Sequence, residues 1–410
     1  MIGRNQELKI FLKLIWLMVI LCVFGGIFIG GSETQIFAKY GEIKKVLLPV
    51  FYMIIGIFVF TRRVSFNSKI SRYTWLLLWG FVFTTWLSLL KSLLLPQQTI
   101  QLNFLLQGIL QISGLILFIY AGILVANYDE VAVWNWSVLA AVVSVLTAII
   151  DLDLSPFIML YIPMSFFLLY VSNKLQGYRR LSFLTLGFTC LIVPIYRNLG
   201  YENFSLAWIL ELSSISLLFL SLFLKPTIRR FLYKSLFSLA LIVLPFTSLF
   251  KLLIGISPIN VTDVTLLQRS FETSTVIQVL FKDPVTWLFG LGPGGYLNMT
   301  WAPDFRTLIS AGRNIEMIDD AHFLTSWILL KLGFVGLSAF LCLVVVALKS
   351  TMEVMTHMEH INPIDFLFSA NVIGGIAIAL TAGTNFFTNP LLGISIGVIM
   401  ARSKILKSTD

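Results

Sequence analysis

Three basic side chains and one acid occupy places where an apolar chain has little need of them. Arg197 closes an apolar run in "PIYRNLGYENF", Arg269 sits in a polar stretch between apolar runs, and His322 stands where that stretch gives way to the next run. A guanidinium binds phosphate oxygens through a two-pronged fork, so either arginine could clamp an anion. An imidazole could take a proton from a hydroxyl, its unperturbed pKa being about 6.5. Glu211 lies about two turns into an apolar run. An ionised carboxylate there costs about 2.5–3.5 kcal/mol, so it should face a bundle interior or wet cavity and pair with a cation, with Arg197 as the candidate. Each residue also has a plainer reading: a solvated arginine, an interfacial anchor, a histidine bonding at a boundary.

Other candidates are weaker. Gly290, Gly292 and Gly295 in "PVTWLFGLGPGGY" fit the spacing G-x-G-x-x-G of a dinucleotide turn. That motif needs a preceding strand and an acidic partner, and the preferred reading is a conformational turn without a nucleotide, whose amides could still approach an anion. His357 and His360, with Glu353 and Glu359 nearby, have H-x-x-H spacing, but a solvated loop accounts for them, so no metal or cofactor is expected. Cys22, Cys190 and Cys342 all fall in apolar runs and read as small core residues.

The elements that must position these groups follow from composition. The chain has 410 residues, of which 58% are hydrophobic and 12% charged. Soluble domains carry about 25% charged residues, so this chain belongs in a bilayer. The fold class is all-α and polytopic, one integral membrane domain over residues 1–410. Twelve spans are expected near 9–30, 46–61, 74–95, 104–126, 131–150, 156–172, 182–196, 205–224, 235–254, 322–348, 364–382 and 386–401. The first reads as a retained helix with no cleavable signal.

The net charge of +9 is distributed as topology rather than as a nucleic-acid surface. One alternate set of loops holds Arg62, Arg63, Lys69 and Arg72; Lys174, Arg179 and Arg180; Lys225, Arg229, Arg230 and Lys234; Lys349; and Arg402, Lys404 and Lys407. The positive-inside rule makes that set cytoplasmic, with both termini. Residues 255–321 then form a large extracytoplasmic loop. Within it Asp263–Lys282 is expected to be an amphipathic helix, with Asp263 as N-cap and Val264, Leu267, Phe271 and Leu280 on one face, ended by Pro284.

The order of these features carries a resemblance. Arg269, the step Asp283–Pro284, Gly290-Leu-Gly292-Pro-Gly294, His322, and "LLKLGFVGL" with Gly333 and Gly336 follow one another as in the bacterial O-antigen polymerase and O-antigen ligase superfamily. The motifs cover roughly 260–340, and the expected topology extends the resemblance along the chain. Asp283 replaces a usual asparagine, Phe323 follows the histidine where asparagine is common, and Lys331 stands where a glutamate often precedes the glycine pair.

The resemblance implies a metal-independent glycosyltransferase of the bacterial cytoplasmic membrane. It would move a glycan from an undecaprenyl-diphosphate-linked oligosaccharide to an acceptor glycan or glycolipid, with polysaccharide-assembly proteins as further partners. It implies Arg269 and His322 as catalytic residues and Arg197, Arg269 and Glu211 as substrate-binding residues. Polymerase is preferred over ligase. The rivals of another class are a twelve-span secondary transporter and a non-catalytic scaffold.

Overall fold

The computed structural model describes residues 72–95, 101–126, 158–199, 206–256, 264–298, 317–318, 323–357, 362–381 and 390–409. Within these, the side chains of several stretches, including 193–199, 244–256 and 264–271, lie outside the description. The expected spans 9–30, 46–61 and 131–150 also fall outside it.

The described chain is helical. Its helices are α1 (Arg72–Leu94), α2 (Leu102–Val125), α3 (Ile158–Ser172), α4 (Gly177–Leu199), α5 (Leu206–Ser221), α6 (Pro226–Ile256), α7 (Val264–Leu280), α8 (Pro284–Phe289), α9 (Leu324–His357), α10 (Pro363–Thr381) and α11 (Pro390–Thr409). The extended structure is one antiparallel pair, β1 (Leu297–Asn298) with β2 (Met317–Ile318). Three apolar stretches, Arg72–Leu94, Phe104–Leu124 and Leu324–Thr356, are long enough to cross a membrane; Ile162–Ser172, Ile209–Ser221 and Pro363–Ala379 are shorter apolar helices.

Apolar uniformity sets the packing. In a bilayer, helices associate through close contact rather than through expulsion of water, so small residues mark the interfaces. A Cβ on Gly122 or Gly397 would collide with the backbone of the facing helix, which is how α2 and α11 approach. Asn371 of α10 donates to Ser395 Oγ of α11 at 3.2 Å, a polar tie inside the bundle. Cys190 is buried as expected; Cys342 differs, lying exposed on the outside of α9.

The ends of the bundle are chemically unlike. At one end Arg402 makes two bonds to Asp365, at 3.0 and 2.9 Å. Lys407 reaches Glu353 at 2.7 Å, and Ser403 also donates to Glu353. Tyr170, near the end of α3, stacks against Phe366 in the first turn of α10 with centroids 5.4 Å apart. The α3–α4 and α5–α6 turns and the tail of α11 therefore bring the basic residues to one end.

Several of these residues were expected in loops and are helical instead. Arg229, Arg230 and Lys234 lie in the first turns of α6, which Pro226 opens. Lys349 lies within α9, and Arg402, Lys404 and Lys407 within α11. A proline at the first helical position needs no intrahelical donor, so α6 begins nine residues before the apolar run at 235.

The buried partner Asp365 should matter more than the rim. In detergent-purified protein, Lys407→Ala is expected to change stability by at most about 1 kcal/mol, since exposed pairs contribute little. Asp365→Ala should cost about 1–3 kcal/mol by leaving the Arg402 guanidinium without its two acceptors. Thermal unfolding of the two variants checks the order.

Candidate functional site

The glycine stretch lies at the end away from the basic residues, and it is built into a broken helix. Within α9, Gly333 has φ 65° and ψ −165°, so the helix stops and restarts there. A break of this kind releases carbonyls that would otherwise accept from the next turn. Two backbone amides of the glycine stretch take them up: Leu291 N–H donates to Leu330 O at 2.7 Å and Gly292 N–H to Lys331 O at 3.1 Å. The approach leaves no room for side chains. A Cβ on Gly290 would stand 2.7 Å from Gly333 N, and one on Gly333 would stand 2.5 Å from Gly290 N. Gly290 and Gly292 have φ 71° and 95°, in the region glycine favours.

The sequence alone leads from Pro284 directly into a turn. Instead, Pro284 opens α8. Asp283 is its N-cap: Thr286 N–H and Thr286 Oγ1 both donate to Asp283 Oδ2, each at 2.9 Å. The carboxylate thus takes one of the amides that a helix start leaves without an intrahelical acceptor. The preceding element is a helix, whereas a dinucleotide turn needs a strand before its first glycine. The indole of Trp287 packs on Phe334 with centroids 4.6 Å apart, holding α8 across the break.

Lysines complete the junction. Lys91, near the end of α1 and 7% exposed, donates to Thr286 Oγ1 at 2.8 Å and to Gly290 O at 2.9 Å. An ammonium, a hydroxyl and a carboxylate thus line up as Lys91, Thr286 and Asp283. Ser88 Oγ lies 2.6 Å from both Phe289 O and Lys331 O, so its single proton is shared between them. Lys331, 1% exposed, donates to Gly295 O at 2.6 Å. Lys331 therefore fastens the far side of the glycine turn. Lys91 and Ser88 were not singled out from the sequence; a lysine inside an expected apolar span was the available signal.

A helix, α7, stands where the amphipathic helix was expected, with Leu280 inward; the side chains of Val264, Leu267 and Phe271 lie outside the described residues. Its described inward face is more polar than the apolar set expected: Glu272, Thr273 and Thr275 are buried beside Val276. Thr273 Oγ1 and Ser326 Oγ share a hydrogen bond of 2.9 Å, tying α7 to the first turn of α9.

Arg269 belongs to α7, one turn before Thr273, and Arg197 belongs to α4; both side chains lie outside the described residues. Asp263 and His322 lie wholly outside them, as does His360; His322 precedes Ser326 by four positions in the chain. The side chain of His357 is outside them too, while Glu353 is engaged by Ser403 and Lys407. Among the described residues no cluster of metal-ligating side chains occurs.

Glu211 faces the bundle interior, 1% exposed. It packs over Gly374 of α10, where a Cβ would stand 3.0 Å from its Oε1. Neither carboxylate oxygen has a hydrogen-bond partner among the described groups, and the side chain of Arg197, its expected partner, lies outside the described residues. Its described neighbourhood is α5 against α10, apart from the glycine junction.

Two outcomes follow. Gly333→Ala should lower stability by more than the roughly 1 kcal/mol of a lost positive-φ glycine, because its Cβ meets backbone. Gly80→Ala in α1, where a Cβ meets nothing within 4 Å, should be neutral or stabilising by up to about 1 kcal/mol. Unfolding midpoints in one detergent compare the pair.

The second outcome concerns Asp283. The hydrogen bonds from Thr286 hold its carboxyl below the ordinary 3.8, and the Lys91 charge assists. A depressed folded pKa gives stability that is present above the unfolded pKa and lost as pH falls through the lowered value. The cap should hold from pH 6 to pH 4 and weaken below about 3.8. Asp283→Asn should remove that acid-dependent part of unfolding in a pH series while keeping a capping oxygen.

No family model matches the chain, and comparison with curated proteins finds no match.

Proposed function

We propose that the chain is a membrane glycosyltransferase of the O-antigen polymerase type. It moves a glycan from undecaprenyl diphosphate to an acceptor sugar at the outer face of a bacterial cytoplasmic membrane. In this reading it crosses the bilayer twelve times, keeps both termini inside and presents residues 255–321 outside.

The observation that supports the proposal is the Thr273–Ser326 bond, which ties α7, the helix of Arg269, to the first turn of α9. In the chain, Arg269 stands four positions before Thr273 and His322 four positions before Ser326. In this reading that tie brings the two groups that chemistry and resemblance select to one site. The basic residues at the opposite end support the orientation, since cytoplasmic ends collect lysine and arginine.

The reaction needs little more than these groups. The acceptor oxygen attacks the anomeric carbon, the bond from that carbon to the diphosphate oxygen breaks, and the acceptor proton passes to the His322 imidazole. The diphosphate leaves as an anion, and the Arg269 and Arg197 guanidiniums stabilise the charge growing on it. Glu211 contributes from the interior to substrate binding. The activated diphosphate supplies the driving energy.

Transfer from a lipid-diphosphate donor, measured in detergent with chelator present, tests the assignment. Arg269→Ala should reduce transfer by about 10²–10³-fold and weaken donor binding. Arg269→Lys should rescue poorly, because the fork is lost. His322→Ala should stop transfer while donor binding persists. Parent-rate transfer by both alanine variants, folded and inserted normally, would overturn the enzyme reading in favour of a transporter or scaffold.

A further inference from the structure

The glycine stretch meets two long apolar helices at levels that can be counted from exposed charges. Arg72 opens α1 and Lys349 lies in α9, both exposed, and an exposed cation is costly inside hydrocarbon, so the two mark its edge. From Arg72 to Ser88, which bonds Phe289 O, is sixteen residues of α1. From Lys349 back to Gly333, which meets Gly290, is sixteen residues of α9. Each is about 24 Å of helix, and any tilt makes the depth smaller. A hydrocarbon core is about 30 Å thick, so the glycine turn stops about 6 Å short of its far edge.

The contacts also order the segment in depth. Thr286 meets Lys91, and Phe289 meets Ser88, about one turn farther from the end of α1. The chain then climbs: a Cβ on Gly108 of α2 would collide with Pro293 O, and one on Gly294 would stand 3.2 Å from Leu105 Cα, nearer the start of α2. Beyond the turn, β1 returns to pack beside α7, so the segment leaves where it entered. At the bottom the backbone is answered by protein. The amides of Leu291 and Gly292 reach α9, and Ser88, Lys91 and Lys331 bond the carbonyls of 289, 290 and 295. Irregular backbone is tolerated at hydrocarbon depth on that condition. The side chains that α8 leaves about a third exposed, Val285, Trp287 and Leu288, are apolar.

We propose that residues 284–295 form a re-entrant hairpin in the leaflet away from the basic residues, with the glycine turn inside the protein and Val285 and Leu288 of α8 against acyl chains. The hairpin redraws one part of the topology proposed above, since it takes the middle of 255–321 out of the outer aqueous side. It does not rest on the transferase reading.

The test uses the full chain in phosphatidylcholine nanodiscs, with Cys22, Cys190 and Cys342 replaced by alanine. A nitroxide is placed on Val285→Cys or, separately, on Leu288→Cys, and a label on Lys407→Cys, at the charged end, gives the aqueous reference. Oxygen, which partitions into hydrocarbon, should relax the nitroxide at 285 and 288. A neutral nickel chelate, confined to water, should lose its effect there and keep it at 407. Should one labelled variant fail to fold, the other decides.

Nickel relaxation at 285 and 288 equal to that at 407 would return α8 to water and overturn the proposal. Protection from both reagents would overturn it as well, placing other protein where acyl chains are assigned. Glycan transfer plays no part in the readout, so the outcome is separate from that of the Arg269 and His322 variants.

Discussion

A helix interrupted inside a hydrophobic bundle leaves carbonyls that hydrocarbon cannot satisfy, and the end of the molecule holding α7 and α8 is organised around that constraint. The break at Gly333 frees Leu330 O and Lys331 O, and the amides of Leu291 and Gly292 answer them. An unsatisfied backbone group in such surroundings costs several kcal/mol, so irregular backbone persists there only where protein covers it. The glycines are the means of covering. Their missing side chains let two irregular segments lie within hydrogen-bonding reach. Ser88, Lys91 and Lys331 then bond carbonyls of 289–295 and of Lys331 itself. The positive charges there act as donors to a turn with too many acceptors, which separates them in purpose from an anion clamp.

The same constraint explains the division of the molecule into two ends. At the basic end the helices continue past their apolar runs, and charge is tied by side-chain pairs such as Asp365 with Arg402. At the other end the chain folds back on itself through α7, α8 and the β1–β2 pair, and the ties run largely through backbone. The transfer proposed above needs polar groups held still beside an apolar slab. A broken helix with its carbonyls already satisfied supplies a rigid edge of that kind.

Hydropathy made much of this legible. The run expected at 74–95 is α1 at Arg72–Leu94, and the runs at 104–126 and 364–382 are α2 and α10 to within two residues. Helix ends were legible where apolar character and helix stop together. They were not where the helix outlasts the bilayer-compatible run: α6 starts at Pro226, α9 continues to His357 and α11 to Thr409. Hydropathy measures what a bilayer accepts, while lysine and arginine are good helix formers. The glycine turn was legible as conformational, but the break was not. Gly333 and Gly336 look alike in sequence, and only the partner segment at 290–292 decides which one takes φ 65°. Lys91 was hidden for the opposite reason, since one lysine does not spoil an apolar run. Its meaning comes from a hydroxyl and a carbonyl 195 and 199 residues away.

Of the site residues, Glu211 was placed by the cost of charge in an apolar span, and that argument located its face correctly. The cost of burying a carboxylate dictates that it turn inward; it does not dictate which cation meets it. Gly374 opposite it removes a side chain, which makes space for the carboxyl without providing a donor. Arg269 and His322 stand differently. Their bond-sharing neighbours, Thr273 and Ser326, are small hydroxyl residues that a hydropathy pattern ignores, yet their 2.9 Å contact fixes the relative register of α7 and α9. A one-residue change in that register would rotate position 269 by about 100° around α7. The spacing from Arg269 to Thr273 is therefore as much a constraint on the proposed chemistry as the arginine itself.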